Sequence, residues 1–230
     1  MKKIVTVILL ALSLVSCKKN NEKETKEFHF DFAQGVEGWQ SFFSDYPVGS
    51  ENSYQLEFSH SFLPAPLNGT IRAVKISGNN HSDDLLSFIV RKFENLKPNT
   101  DYSVNFNIEF ASNATSNGVG IGGSPDLEIG VGGLSYIPQN NISQGYYRPN
   151  FISRLQSHES NDVLKSAGRI GVSTNFPTPF MLVNRNNFSN PVLLKTNNNG
   201  ELWLMIGTDS GFEGTTSLYY KSIGITLKKE

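Results

Sequence analysis

The alternation of apolar and polar side chains is clearest between residues 100 and 110. From Tyr102 onward every second residue is large and apolar, and polar residues such as Asn105 fill the positions between. Successive side chains of a β-strand point to opposite faces of a sheet, so this period of two predicts a strand with one buried and one solvated face. We expect Phe106, in mid-strand, to lie in the core, and the rest of the chain to pack on the buried face.

Further strands are predicted on both sides of this one. Apolar runs bounded by turn residues place them at residues 28–32, 54–62, 71–76, 85–93, 145–152, 201–207 and 217–227. The run at 85–93 is apolar on both faces, and periodicity does not distinguish a buried strand from a short helix there. The sequence Asn-Asn-Asn-Gly at 197–200 predicts a hairpin turn, whereas residues 153–168 give no clear pattern. Many short strands without intervening helices predict an all-β fold, a jelly-roll-like β-sandwich of two antiparallel sheets.

The N-terminus has the features of an export signal. Lys2 and Lys3 precede an apolar run that is too short to span a bilayer stably, and the run ends in Leu-Val-Ser-Cys at Cys17. This ending resembles the lipobox of bacterial lipoproteins, in which the signal is cut before the cysteine and the cysteine is lipidated. The resemblance implies a lipid on Cys17 that attaches the protein to a membrane. The alternative is an ordinary signal peptide with a chance cysteine.

Three segments follow from this interpretation. Residues 1–16 are the signal peptide, residues 17–27 are the lipidated cysteine with a flexible polar tether, and residues 28–230 are a single β-sandwich domain. The tether contains no large apolar residue that could be buried in a core. The expected location is the bacterial cell envelope, with the domain anchored to the outer membrane and facing the periplasm or the cell surface.

Charge and composition narrow the classes of function. The chain has 20 Lys and Arg against 21 Asp and Glu, and loss of the two lysines in the signal leaves 18 against 21, a formal charge of −3. Nucleic-acid binding requires a clustered basic surface, so no nucleic-acid partner is expected. Cys17 is the only cysteine, which excludes an internal disulfide. The 16 Phe and 8 Tyr predict an aromatic core.

Two motifs resemble catalytic or nucleotide-binding sequences. Residues 118–123 match G-x-G-x-x-G, but Ser-Pro-Asp follows where a nucleotide site needs a helix N-terminus, so a flexible or bulged segment is predicted. Residues 208–211, Thr-Asp-Ser-Gly, resemble the serine segment of trypsin-like proteases. Phe212 stands where that motif has its second glycine, so an ordinary turn between strands is the preferred interpretation.

The segment 79–84 is the richest in oxygen ligands. Hard cations such as Ca²⁺ need six to eight oxygens, and Asp83 and Asp84 are the candidate carboxylate ligands for a structural Ca²⁺. A polar loop that caps the following element is the alternative. The four histidines show no metal-ligating spacing, and no other cofactor is predicted.

Two local sequences resemble parts of known β-sandwich modules. Leu-x-Pro-x-Thr-x-Tyr at 96–102 resembles the corner turn of many extracellular sandwiches, in which the tyrosine hydroxyl bonds to nearby backbone. Residues 32–39 resemble the start of jelly-roll carbohydrate-binding modules of the galactose-binding-like type. As a whole, the chain is similar to lipoproteins of Gram-negative bacteria built on such a jelly roll. The resemblance implies a binding module but transfers no functional residues.

Trp203 is the main candidate for ligand binding. Strand 201–207 is apolar on both faces, and Trp203 and Met205 share the face opposite its aliphatic residues. Either a loop covers this face, or Trp203 stands on an open concave sheet, where an aromatic ring can pack against a sugar ring. First and last strands are often neighbours in sandwiches, which would bring early aromatic residues beside it. The candidate ligand-binding residues are Trp39, Tyr46, Trp203, Asp209 and Glu213.

The function expected from these features is a membrane-anchored binding module whose ligand is a glycan. Two alternatives remain open: an enzyme that acts on a polysaccharide, and a structural or adhesive envelope protein without a small ligand. Glycoside hydrolysis would require two carboxylates that face each other across a cleft, and the sequence does not show which carboxylates do so.

Overall fold

The computed structural model describes residues 24–82, 84–156 and 163–230. Its fourteen strands are β1 (Thr25–Phe30), β2 (Gln40–Ser44), β3 (Glu57–Phe62), β4 (Arg72–Asn79), β5 (Leu85–Phe93), β6 (Asp101–Ser112), β7 (Glu128–Leu134), β8 (Asn140–Ser143), β9 (Tyr146–Pro149), β10 (Leu164–Arg169), β11 (Met181–Asn186), β12 (Val192–Lys195), β13 (Leu202–Ser210) and β14 (Thr215–Lys229). Over these ranges, no helix is long and apolar enough to cross a membrane.

Two antiparallel sheets face each other as a β-sandwich, as predicted. Sheet A has the order β11–β6–β14–β4–β3, with β12 also paired to β6 and β1 also paired to β14. Sheet B has the order β10–β7–β13–β5–β2, and β8 and β9 form a separate two-stranded hairpin. The chain passes repeatedly from one sheet to the other, for example at β4–β5, β5–β6, β6–β7 and β13–β14, which makes the sandwich jelly-roll-like.

Strand β6 lies inside sheet A, with β14 on one side and β11 and β12 on the other. Its alternation is confirmed, since Phe106 is fully buried and Asn105 is partly exposed. The corner turn is confirmed as well. The backbone N–H of Lys97 donates to the hydroxyl of Tyr102 at 3.1 Å, which fastens the β5–β6 turn to the strand it precedes.

The main core lies between the inner faces of the two sheets. Sheet A contributes residues such as Phe106 and Phe110 from β6, and sheet B contributes Ile89 from β5 and Leu204 and Ile206 from β13. Complete burial of one such side chain stabilises the fold by about 1.5–3 kcal/mol. The run at 85–93, which the sequence left open between strand and helix, is strand β5, buried on both faces.

A second apolar layer explains why most of β5 and β13 is buried on both faces. The segment at residues 135–156, here called the cover, carries the β8–β9 hairpin and lies across the outer face of sheet B. Its residues Phe151 and Leu155 are buried against Phe88 and Met205 of that face. Of the two explanations open for strand 201–207, the structure therefore shows a loop cover over Met205.

Two glycines in β7 allow the close approach of the segment between β7 and β10. A Cβ at Gly130 would lie 2.4 Å from the side chain of Leu155, and a Cβ at Gly132 would lie 1.8 Å from the carbonyl oxygen of Val163. A side chain at position 132 would push the backbone of Val163 away from the sheet, whereas one at position 130 would force the side chain of Leu155 to move.

Two expectations about chain organisation need correction. Strand β1 begins at Thr25, so the last three residues assigned to the tether belong to the sheet, with Thr25 opposite Lys228 of β14. Backbone pairing does not require apolar side chains, and composition alone therefore placed the boundary too late. The turn at 197–200 does not close a hairpin, because β12 pairs with β6 in sheet A while β13 lies in sheet B.

Candidate functional site

The structure separates the five residues predicted to bind ligand. Trp39 is 1% exposed and lies in the main core, with its ring 5.6 Å from that of Phe30 and 6.4 Å from that of Phe93. A ring enclosed in this way is not available to stack on a ligand. Although β1 and β14 are neighbours, as expected, the turn after β1 directs Trp39 inward rather than towards Trp203.

Tyr46 is also enclosed. Its ring lies 5.6 Å from that of Tyr54 and 5.0 Å from that of Tyr147 in the cover, and Leu85 completes this small cluster. Its role in the fold is to pack the cover hairpin against the end of β2.

Asp209 and Glu213 lie towards the opposite end of β13 from Trp203. Asp209 lies six residue steps along the strand from Trp203, which corresponds to about 20 Å. Asp209 is buried and accepts a hydrogen bond of 2.6 Å from the Ser153 hydroxyl, whereas Glu213 is exposed in the loop after the strand. Neither carboxylate can contact a sugar ring that stacks on Trp203.

Trp203 is half-buried at the margin of the cover. It lies on the outer face of sheet B, opposite Leu134 of β7 and Lys92 of β5. Tyr136 follows β7 two residues after Leu134 and is 46% exposed. These aromatic residues line a groove of about 430 Å³, here called the Trp203 groove. Its main lining residues are Lys92, Tyr136, Gln139, Asn150, Glu201 and Trp203.

Asn150 holds the aromatic wall of the groove in place. Its side-chain oxygen accepts the N–H of Gln139 at 3.1 Å, and its side-chain nitrogen donates to the carbonyl of Ile137 at 3.0 Å. The hydroxyl of Tyr136 donates to the backbone carbonyl of Asn150 at 3.3 Å. The turn that presents Tyr136 is therefore fixed before any ligand arrives.

A charged pair lies beside the aromatic residues. Lys92 contacts Glu201 at 2.7 Å and Glu94 at 2.6 Å, and Asn197 donates to Glu201 at 2.8 Å. The hydrogen bond from Lys92 is the main reason why the pKa of Glu201 is lowered, and Glu201 in turn raises the pKa of Lys92. The groove therefore offers a carboxylate and an ammonium group, both ionised at neutral pH, next to two aromatic rings.

A second cluster of charges fastens the cover to sheet B. The guanidinium of Arg148 in β9 lies 2.6 Å from Asp45 and 3.3 Å from Asp84, and Gln156 donates to Asp84 at 3.3 Å. Burial, together with the nearby carboxylates of Asp45 and Asp209, raises the pKa of Asp84 to about 7. Burial also raises the pKa of Asp45, against the opposing effect of Arg148.

One of the two predicted Ca²⁺ ligands, Asp84, belongs to this cluster. Asp83 lies outside the described residues, and the carboxylate of Asp84 is engaged by Arg148 and Gln156. In the part of the chain that the structure describes, no group of three or more His, Cys, Asp or Glu side chains could hold a metal ion. Asn80 is buried, and its side-chain nitrogen donates to the carbonyl of Ser210 at 2.7 Å. This hydrogen bond fastens the loop between β4 and β5 to the end of β13.

Sequence reasoning missed the partners of Trp203 in the groove. Tyr136 and Gln139 come from a region whose residues show no strand or helix period, and the predicted strand 145–152, which contains Asn150, carries no sign that it lies near Trp203. The pairing of Trp203 with Leu134 is the fact that places Tyr136 beside the indole, and this pairing depends on sheet order. Only a correct prediction that β7 neighbours β13 could have found it.

No protein-family model matches the chain, and no curated protein matches it. Solved structures with distant similarity include a candidate sugar-binding protein from Bacteroides thetaiotaomicron, at 11% identity and a TM-score of 0.40, with 83% of this chain and 88% of that chain covered. A carbohydrate-binding module studied for specific mannan recognition has 11% identity and a TM-score of 0.41 over 89% of this chain and 99% of that one. An adhesin domain of Lys-gingipain from Porphyromonas gingivalis has 10% identity and a TM-score of 0.39 over 88% and 99%. Similarity this distant identifies no ligand.

Proposed function

We propose that this chain is a membrane-anchored binding module for a glycan, and that the Trp203 groove is its binding surface. The observation that carries the proposal is a half-exposed indole beside the exposed phenol of Tyr136, with side-chain amides and an ion pair around them. A sugar ring presents an apolar C–H face that packs on an aromatic ring, while its hydroxyls need hydrogen-bond partners at the rim. The groove supplies both kinds of contact.

The polar groups of the groove suit hydroxyls better than a fixed charge. Lys92 already contacts Glu201 at 2.7 Å and Glu94 at 2.6 Å, so a ligand carboxylate would have to compete with two carboxylates for the ammonium group. A hydroxyl can donate to a free lone pair of Glu201 or accept from Lys92 without breaking the pair. The exposed amide of Gln139 can donate and accept at the same rim.

The membrane anchor is the second part of the proposal. Cys17 lies outside the described residues, and the first described residue, Glu24, contacts Lys97 at 2.7 Å. The backbone N–H of Leu96, next to Lys97, donates to the carbonyl of Gly200, three residues before Trp203. Seven peptide steps reach at most about 25 Å, so a lipid on Cys17 would hold this end of the sandwich near the membrane.

A polysaccharide-active enzyme is the second candidate, and one observation favours it. Asp84, with a pKa of about 7, would be protonated in mild acid, which suits a general acid. Asp45 shares Arg148 with it, so the two carboxylates lie near each other. A substrate would have to displace Arg148 and the cover to reach them, and the open Trp203 groove needs no such step.

The test is a glycan array probed with the chain from residue 18 onward, followed by titration of any hit. Trp203→Ala should weaken binding at least tenfold, because it removes the stacking surface. Leu193→Ala is the matched control, since this exposed apolar residue lies on sheet A, and it should leave the affinity unchanged. Near-ultraviolet circular dichroism, which reports the enclosed Trp39, checks that both variants are folded. The Trp203 groove would be refuted as the binding site if no glycan on the array binds, or if Trp203→Ala leaves the affinity for the bound glycan unchanged.

A further inference from the structure

A second cavity lies at the other end of the sandwich from the Trp203 groove. It has a volume of about 430 Å³ and opens between the β6–β7 loop, the β10–β11 loop and the start of β14. Its lining residues are all uncharged, and about half of them carry a hydroxyl or an amide. Those that matter for its chemistry are Thr115, Val119, Phe176, Phe212, Thr215 and Ser217.

The walls of this cavity are joined by hydrogen bonds between loops. The buried carboxylate of Asp126 accepts the N–H of Asn117 in one loop at 3.0 Å and the N–H of Gly171 in the other at 2.7 Å. The hydroxyls of Thr115 and Thr178 lie 2.8 Å apart across the same two loops. The cavity is therefore preformed, as small-molecule sites usually are.

The glycine-rich sequence that matches G-x-G-x-x-G forms part of this wall. A Cβ at Gly120 would lie 2.4 Å from the ring of Phe212, so only glycine permits the observed approach. The N–H of Glu213 donates to the carbonyl of Ile121 at 2.8 Å and holds the β13–β14 loop against the β6–β7 loop. The glycines thus allow the β6–β7 loop to pack closely against the ring of Phe212. This packing explains the glycine-rich sequence, and no nucleotide-binding role is needed.

Two large apolar side chains stand in water at the mouth of the cavity. Val119 is 99% exposed and Phe176 is 88% exposed, and they come from different loops. The two stretches that carry them, residues 110–125 and 170–184, contain no charged residue. Adjacent exposed apolar groups that flank a preformed cavity are typical of a binding site rather than of scattered surface residues.

We propose that this cavity, here called the distal pocket, is a second binding site and that it takes a neutral sugar residue. Phe176 and Phe212 offer apolar surface for the C–H face of the ring, and the hydroxyls of Thr115, Thr215 and Ser217 offer partners for its hydroxyls. A uronate or sulfated sugar would find no cation among the lining residues, so its charge would be desolvated without compensation. This site shares its ligand class with the proposed function but does not depend on the Trp203 groove.

The test uses the isotope-labelled chain from residue 18 onward and two-dimensional amide and indole NMR spectra. The probes are the methyl glycosides of glucose, mannose and galactose, with methyl glucuronoside as the charged counterpart. At least one neutral glycoside should shift the amide signals of Val119 and Thr215, and glucuronoside should bind at least tenfold more weakly. Shifts confined to the indole signal of Trp203, or no shift with any neutral probe, would overturn the distal pocket.

Variants separate the two sites. Phe176→Ala and Val119→Asp should each raise the dissociation constant of the neutral probe about tenfold or more, while Trp203→Ala leaves it unchanged. Phe188→Ala, which truncates an exposed phenylalanine that does not line the pocket, should have no effect. Because Phe176 and Val119 are exposed, neither variant should unfold the chain. An unchanged dissociation constant in Phe176→Ala would refute the distal pocket. If only Trp203→Ala abolishes binding on the glycan array, the array ligand binds in the Trp203 groove and not in the distal pocket.

Discussion

Replacement of Asp84 by asparagine should stabilise the protein at pH 8 and change little at pH 5. Burial and the carboxylates of Asp45 and Asp209 raise the pKa of Asp84 from an ordinary 3.8 to about 7. Between these two values the folded state binds more protons than the unfolded state, so the stability contributed by this group falls as the pH rises. Asparagine cannot ionise and therefore removes this loss, while Arg148 keeps its contact with Asp45.

The size of the effect follows from the pKa and the exposure of the side chain. A pKa raised from 3.8 to about 7 corresponds to about 4 kcal/mol for a fully shielded carboxyl group. The Asp84 side chain is 41% exposed, and solvent screening reduces this to about 1–2 kcal/mol. The free energy of unfolding from urea titrations should therefore increase by about this amount at pH 8 in Asp84→Asn.

The matched control is Asp101→Asn, at the exposed start of β6 in sheet A. It should shift the free energy of unfolding by no more than about 0.5 kcal/mol at either pH, as surface changes usually do. An equal loss of stability at pH 5 and pH 8 in Asp84→Asn would mean that Asp84 acts as a hydrogen-bonding partner of Arg148 and Gln156 with an ordinary pKa. That result would refute the reasoning.

Two further predictions concern the core and the N-terminus. Phe106→Ala should lower the free energy of unfolding by about 3–5 kcal/mol, because Phe106 is fully buried between the sheets. The adjacent Asn105→Ala should cost well under 1 kcal/mol in the same denaturant titration. Equal losses in the two variants would contradict the assigned faces of β6. Cys17→Ser should move the protein from the membrane fraction to the soluble fraction and abolish labelling by a palmitate analogue, and a variant that still labels and still sediments with membranes would contradict lipid anchoring at this residue.

The sequence predicts most reliably those strands that have one face buried in the core and the other exposed to solvent. Strand β6 shows a strict alternation because its inner face meets the main core, and its extent follows directly from that pattern. Strand β1 was placed too late because Thr25, Lys26 and Glu27 pair through the backbone and leave no apolar signature. Strand β8 of the cover was not predicted, because all four of its residues are exposed and the hairpin is held by contacts distant in sequence, whereas β9 falls within the predicted strand 145–152.

The candidate site could be predicted only in part, because surface position depends on sheet order. Trp203 and Met205 share one face of β13, and nothing in the sequence indicates which of the two side chains is exposed. The cover buries Met205 beneath Phe151 and Leu155 but leaves Trp203 half-exposed at its margin, and this difference arises from a chain segment about fifty residues earlier. Trp39 has the same residue type and an equally suggestive context, yet its position between the sheets removes it from any surface.

The two proposed binding surfaces lie at opposite ends of the sandwich, and the cover lies over the outer face of sheet B between these ends. The centre of its outer face is occupied by Phe151 and Leu155, so a ligand cannot reach the apolar side chains there without displacing them. β13 runs beneath the cover, with the Trp203 groove at its first residues and the distal pocket beyond its last, about 23 Å of strand apart. With an anchor at Cys17, the distal pocket would be the surface farther from the membrane. If the domain also faces the cell surface, we expect glycans that do not reach the membrane to engage the pocket first, and Phe176→Ala to impair their capture by whole cells more than Trp203→Ala does.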